Sequence, residues 1–596
     1  MADHFGKDKN LKSRPADKLK TGKPVSGRTD PRLRHLKDFV VEEIELASAP
    51  PTGPRVKHRD PPRWWAPFRI GVAAVGLALV AIVAGLVGRG PWPGDETRFL
   101  AIAWEMWARG DLLVPRFNGV PAGAAPLYAW SVHLGWLVFD ELAWWARLMP
   151  GLYMLGSLWF VARIARLLWP GQAEVTRYMP FVLLGGIYWV WSSTWFTPDF
   201  LTVFSTLFAL HALLWMWRTR DLRVWMLLGV ALGLGLLASG SLVLMYVLPV
   251  ALLAPLWTRG TPTMPWGYWY ADLAKATLLG FAIFALWAVP FAGRAGLNTL
   301  LPLLTSPIAS HALELFPLER PWWWYLLLLP LLGFPWSLWP LPWLRFWDVR
   351  RKPIGNGLAF CMLWAVSTIA VLSLFPIRQP QLLLPLVPAF FLAVGWVVLD
   401  EDYAHHDQGR LASTMIFPLM LLGAALAVVP KLPRVEFLPE VLWQLSPWVG
   451  VAVIGVGVAV GWLPIPELRT RILNMAVTVV VVFALAVLAI GWQLSARYDV
   501  SAAGQVIARE QQAGKPVAHV GPYHGQFHFA GRLMQPIEVI APEQAPAWVA
   551  AHPDGLIVSY TNGWQPRVLP GSQPLHEQPY DDSSLRIWSA ASLSGG

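Results

Sequence analysis

From Arg69 to Trp492 the chain repeats one pattern, an apolar run of about 18 to 22 residues followed by a short polar segment. Each run, wound as an α-helix, is long enough to cross the hydrocarbon layer of a bilayer. Hydropathy and loop charge predict about thirteen spans, over 69–88, 148–168, 179–197, 199–217, 222–238, 241–257, 273–293, 322–343, 356–375, 380–399, 411–430, 446–463 and 473–492. The apolar segment from Pro126 to Phe139 is too short to cross and is expected to lie in the interface. This choice satisfies the positive-inside rule. It gives the cytoplasmic loops Arg163 and Arg166, Arg218, Arg220 and Arg223, Arg259, Arg345 with Arg350, Arg351 and Lys352, Arg410, and Arg469 with Arg471.

The flanks are different. Residues 1–68 are polar and basic, without the apolar periodicity that builds a core, and read as a disordered cytoplasmic tail with no signal-peptide h-region. With an odd number of spans in 69–493, residues 494–596 face outward. Their helical stretch (502–512), strand-like PVAHVG and IEVIA, second helix (542–551) and GLIVSY predict a small α/β domain. HGQFHF, at 524–529, alternates like a further strand. His519, His524 and His528 lack the fixed spacing of a third metal ligand.

Composition agrees with the pattern: 55% hydrophobic and 14% charged residues exclude a soluble globule of 596 residues. The net charge of +10 reflects topology and lipid contact, and no nucleic-acid-binding motif is present. The single cysteine, Cys361, excludes an intrachain disulfide and a thiolate metal cluster.

Candidate chemistry gathers in the first outer loop, 89–147. Asp95 and Glu96 follow the first span directly and open an amphipathic segment that leads through a Pro/Asn/Gly loop to PLYAW, with Tyr128 and Trp130. Carboxylates at a bilayer boundary are costly to bury and mark a candidate site. Asp199, after Thr197-Pro198 at the hinge between the third and fourth spans, faces the same side, where it is also a candidate helix cap.

GDETRFLAIAWEMWARGDLLVPRFNGVP, with Thr-Pro-Asp at 197–199, ERPWWWYLLLLPLLGFPWSLWP from Glu319 and LFPIRQPQLLLPLVPA from Leu374, resembles the C-type-fold membrane glycosyltransferases. The branch it resembles is that of the aminoarabinose lipid A transferases, akin to the protein O-mannosyltransferases. The similarity covers most of 90–400. It implies an α-helical polytopic membrane protein with a small extracytoplasmic α/β domain, which transfers a sugar from a polyprenyl-phosphate donor to a lipid, glycan or protein acceptor.

By this resemblance Asp95 is the catalytic carboxylate, assisted by Glu96 and Asp199, with a divalent metal at Asp95 and Asp199 left open as the one cofactor. Arg378 stands where the family has a lysine and is the first candidate for the donor phosphate, ahead of Arg320 and Arg294. Tyr128, Trp130 and His311 are candidates for the acceptor groove. The resemblance also implies a bacterial inner membrane, with the C-terminal domain periplasmic. Three departures stand out: Ala124 and Ser239 replace family lysines, and Leu382 replaces a tyrosine. The alternatives are a lipid flippase or transporter, which would place its charges near mid-membrane, and a carrier-binding derivative without turnover.

Overall fold

The computed structural model describes residues 67–593, apart from 220, 222, 259–264, 306–319, 350–353, 376, 400–415, 434–442, 444–445, 463–467 and 581–582. The predicted basic tail therefore lies outside the described residues, as does His311. Among the described residues, seven helices are long and apolar enough to cross a membrane, and shorter apolar helices accompany them. This is a multi-pass helical membrane protein.

The first span is α1 (Pro67–Gly88). It is followed by α2 (Asp95–Ala108), a two-stranded hairpin of β1 (Arg116–Phe117) and β2 (Val120–Pro121), and α3 (Leu127–Phe139). The hairpin turns on Asn118 and Gly119, both at positive φ, as a tight two-residue connection requires. Helix α3, 13 residues long, is the predicted short apolar helix.

The central bundle contains α4 (Ala143–Leu168), α5 (Ala173–Leu184), α6 (Ile187–Ser192), α7 (Asp199–Thr219), α8 (Val224–Ser239), α9 (Leu242–Leu252) and α10 (Trp266–Ala295). Helix α8 packs between α7 and α10. The approach of α10 depends on small residues: a Cβ on Gly229 would stand 2.8 Å from Leu279, and one on Gly233 2.8 Å from Ile283. Beyond α10 come α11 (Trp324–Leu332), α12 (Pro340–Val349), α13 (Asn356–Ser373), the 3₁₀ segment Pro380–Leu386, α14 (Val387–Leu399) and the long α15 (Leu468–Tyr498). Helix α15 returns against α1, where a Cβ on Gly491 would meet the Gly88 carbonyl at 2.1 Å.

Besides 241–257, which parts at Leu253 into Leu242–Leu252 and Ala254–Trp257, two further predicted spans divide into separate α-helices. The run 179–197 breaks into α5 and α6 at Gly185-Gly186, because Trp336 and Phe391 fill the space next to these glycines. The run 322–343 likewise divides into α11 and the start of α12. Apolar length alone does not register either break.

The C-terminal residues form the expected α/β unit: α16 (Ser501–Gln512), β3 (Val517–Val520), α17 (Gln526–Ala530), β4 (Glu538–Ile540), α18 (Ala545–Ala551), β5 (Leu556–Tyr560), β6 (His576–Tyr580) and β7 (Ser583–Ser589). The sheet order is β4-β3-β5-β7-β6, parallel across β4-β3-β5 and antiparallel through β7 and β6. The alternating HGQFHF is a helix, not a strand. Phe527 and His528 are consecutive and both buried, which a two-sided strand pattern does not reveal, and Gly525 adopts φ 76 where α17 closes on α2.

Candidate active site

The chain turns into α2 at Gly94, whose φ of 102 admits glycine readily. Asp95 and Glu96 thereby fall in the first helical turn, where unpaired N–H groups favour carboxylates. One helical position separates two different fates.

Glu96 is buried and saturated. Arg89 donates to both of its oxygens at 2.7 and 2.6 Å, and the backbone N–H groups of Trp92 and Phe196 donate at 2.6 and 2.8 Å. Burial alone would raise its pKa, but the Arg89 charge and these hydrogen bonds outweigh it and hold the carboxyl below the usual glutamate range. Glu96 thus ties the end of α1, the start of α2 and the hinge at Phe196 together.

Asp95 accepts no hydrogen bond among the described residues. Burial, then the neighbouring charge of Asp199, raise its pKa from the ordinary value to about 8, against the opposing pull of Arg98. Asp199 opens α7 and is oriented by Thr197, whose Oγ1 donates to Oδ2 at 2.7 Å. The structure therefore brings Asp95 and Asp199 into one electrostatic neighbourhood and gives Glu96 a separate, fully engaged position. Two carboxylates supply hard oxygen donors of the kind a divalent cation uses. Among the described residues no group of three or more His, Cys, Asp or Glu side chains completes such a site.

The aromatic candidates line up beside the acids. The Tyr128 ring lies 5.0 Å from that of Phe196, the residue whose N–H holds Glu96, and 6.1 Å from Phe99. Trp130 donates through Nε1 to the Leu112 carbonyl at 2.8 Å.

Ala124 lines a small pocket with Phe99, Ile102, Tyr128 and Pro198, and so does Ala238, the neighbour of Ser239. Phe99 and Ile102 share the α2 face of Asp95. Position 124 and the neighbour of position 239 thus line one pocket. Among the described residues no charged side chain lines this pocket, and Ser239 is buried, with its Oγ turned to the Gly235 carbonyl at 3.3 Å.

Two of the three candidate arginines meet. Arg378 donates to the carbonyl of Arg320 and, at 2.7 Å, to that of Ser373, while the Arg320 guanidinium sits 4.9 Å from the Trp324 ring centre. Arg294, mostly exposed, pairs instead with Asp111 at 3.6 Å.

Sequence reasoning missed the tyrosines between these groups. Tyr246 on α9 lies within electrostatic reach of Asp199 and of Tyr325, and Tyr325 of Arg378. Tyr246 also donates to the carbonyl of Leu382 at 2.7 Å, so a phenol from another helix reaches the segment that lacks the family tyrosine. A polar tip within an apolar run was the one available signal.

From Arg320 and Arg378 the chain runs into the walls of an apolar groove of about 460 Å³, lined by Leu326, Leu329, Leu383, Leu386 and Phe390 among others. The C-terminal unit closes over the opposite flank of α2. Thr97 donates to the His524 carbonyl at 2.9 Å, Trp104 to that of Leu533 at 2.9 Å, and Asn118 and Ile537 exchange hydrogen bonds at 2.8 Å.

No family model matches the chain. Over 404 residues it is 26% identical to an undecaprenyl phosphate-alpha-4-amino-4-deoxy-L-arabinose arabinosyl transferase 1 of Pseudomonas fluorescens, a match covering 63% of this chain and 65% of that one. It is 28% identical over 392 residues to the corresponding transferase of Pseudomonas aeruginosa, covering 63% and 68%. The chain thus spans just under two thirds of the length of the first of these relatives. Among solved structures, ArnT from Cupriavidus metallidurans bound to undecaprenyl phosphate superposes with a TM-score of 0.69 at 18% identity, over 87% of this chain and 97% of that one. The chain is thus similar in sequence to these arabinosyl transferases and has the fold of the ArnT structure.

Proposed function

We propose that this protein transfers a sugar from a polyprenyl-phosphate donor to an acceptor at the outer face of a bacterial inner membrane, with the N-terminus cytoplasmic and the C-terminal domain periplasmic. The observation that carries this reading is the neighbourhood of Asp95 and Asp199 beside α2, together with an apolar groove whose walls include Leu326 and Leu383, shortly after Arg320 and Arg378 in the chain. In this reading the apolar groove takes part of the donor's prenyl chain, and Arg378 and Arg320 take its phosphate.

In the reaction an acceptor hydroxyl oxygen bonds to the anomeric carbon while the bond from that carbon to the phosphate oxygen breaks. The hydroxyl proton passes to Asp95, and polyprenyl phosphate leaves with the bonding electrons. The leaving phosphate needs cations rather than a strong acid, and Arg378 and Arg320 supply them. Asp199 holds Asp95 near its working pKa, and Glu96 fixes the first turn of α2. Should a divalent cation take part, Asp95 and Asp199 would hold it, and it would supply charge stabilisation there.

The relatives named above are aminoarabinosyl transferases by name. For this chain the pocket lined by Ala124 and Ala238 leaves donor phosphate binding to the arginines. The direct experiment is incubation of the purified protein with labelled polyprenyl-phosphate sugars and a panel of lipid, glycan and peptide acceptors. Release of polyprenyl phosphate with label on an acceptor supports the reading; no transfer from any donor, by protein that is folded and binds donor, contradicts it.

A further inference from the structure

A second cavity, of about 620 Å³, lies on the other side of α2 from Asp95. Thr97 and Leu100 line it, and these residues point away from the face of Asp95, Phe99 and Ile102 on the helical wheel. Val87 and Gly88 at the end of α1, Ala143 at the start of α4, and Ser495 and Tyr498 in the polar extension of α15 complete the wall on one side. Three helices long and apolar enough to span the membrane therefore end at this cavity, which sets it at headgroup depth. The C-terminal unit roofs it with Gln526, Phe529 and Arg532.

The charges that line it are few. Arg89 is neutralised by its two bonds to Glu96. Among the described residues that leaves one cation, Arg532, and one anion, Asp499, both exposed. The Arg532 guanidinium is held 4.1 Å from the Phe529 ring centre and 4.7 Å from that of Trp104, while one Nη donates to the Glu141 carbonyl. Asp499 accepts from the Ser501 N–H through Oδ1 at 2.9 Å. Beside it the Tyr498 ring lies 5.3 Å from Trp92, an aromatic pair of the kind that sits at membrane interfaces. One cation and one anion in a largely apolar lining suit a zwitterion better than an anion, with the Glu141 carboxylate also facing Arg532 from outside the cavity wall.

We propose that this cavity binds the headgroup of a zwitterionic phospholipid of the phosphatidylethanolamine class, with Arg532 taking the phosphate and Asp499 the ammonium. The lipid wedges between the span ends and the C-terminal domain on the flank of α2 opposite the transfer chemistry. The inference is independent of the proposed activity, and its readout is binding.

The test is thermal unfolding of the delipidated full-length protein in detergent, titrated with dihexanoyl phosphatidylethanolamine, dihexanoyl phosphatidylglycerol or inorganic phosphate. The expected result is saturable stabilisation by the ethanolamine lipid at concentrations about five-fold below those of the glycerol lipid, with no effect of phosphate alone. Asp499→Asn should erase the difference between the two lipids. Arg532→Gln should weaken both, and Arg532→Lys should restore part of the effect. Asp499 is exposed, so its variant reads the selectivity even if Arg532→Gln folds poorly. Equal midpoints for the two lipids in the unsubstituted protein, stabilisation by phosphate alone, or curves unchanged by Asp499→Asn would each overturn the proposal.

Discussion

Arg89 and Glu96 meet as a two-pronged ion pair, Nη1 to Oε2 at 2.7 Å and Nη2 to Oε1 at 2.6 Å, with Glu96 only 1% exposed. Together with the N–H groups of Trp92 and Phe196, this pair fixes the turn from which Asp95 projects. Removing one member of a buried pair strands the other. Glu96→Ala is expected to cost about 3 kcal/mol of stability, read as a lower thermal midpoint. Asp95→Asn should not destabilise, and at neutral pH it should raise the thermal midpoint, because burial makes the charged Asp95 costly in the folded state. Equal stability losses in the two variants would remove the distinction drawn between these neighbours.

Asp199 should set the pH at which Asp95 works. The Asp95 carboxyl, raised to about 8, is protonated and unable to accept a proton at lower pH, so turnover should rise with pH through that value. Asp199→Asn removes a neighbouring negative charge and so favours ionised Asp95. Its rate midpoint should move toward neutral pH while remaining above the ordinary aspartate range, because burial is the larger cause. A midpoint that stays put or moves up in Asp199→Asn would show that the two carboxyls do not interact.

Donor affinity should depend on Arg378 and Arg320, which meet each other. Arg378→Ala is expected to raise the donor KM about ten-fold or more, the scale of one charge-assisted hydrogen bond, and Arg320→Ala should act in the same direction. Arg294→Ala should leave KM within about two-fold, since its exposed side chain is matched to Asp111. Titrating donor against these variants checks the order; a larger effect at Arg294 than at Arg378 would reassign the phosphate.

The C-terminal unit should loosen in acid. His519 and His528 are buried, and burial lowers both to about 4. The unfolded chain binds their protons near pH 6.5, so the stability from neutral burial is full above that pH and is lost as pH falls toward 4. Glu105, whose carboxyl burial raises and whose Oε1 lies 3.5 Å from His528 Nε2, acts in the opposite sense and offsets part of the loss. Thermal midpoints between pH 7.5 and pH 4 should fall, and His519→Gln should flatten the curve. A midpoint that rises on acidification would contradict this balance.

Periodicity and charge were enough to expect a polytopic helical protein, the short helix at 127–139 and the alternation of the C-terminal unit. They did not register the break at Gly185-Gly186, because its cause is Trp336 and Phe391 arriving from far along the chain. Asp95, Asp199 and Arg378 were visible as charges at the edges of apolar runs. The division of labour between Asp95 and Glu96 was not, since it depends on Arg89 and the Phe196 N–H finding one carboxylate and not the other. Nor did the sequence join Ala124 to the Ser239 region; only the packing of α2, α3 and α8 brings Ala124 and Ala238 to one pocket.

The measurement closest to the central claim is transfer of label from polyprenyl-phosphate sugar by purified wild-type protein beside Asp95→Asn, with donor binding and thermal midpoint recorded for both. The account predicts product from the wild type alone, with donor binding and folding retained in the variant. Product from Asp95→Asn at the wild-type rate would contradict it.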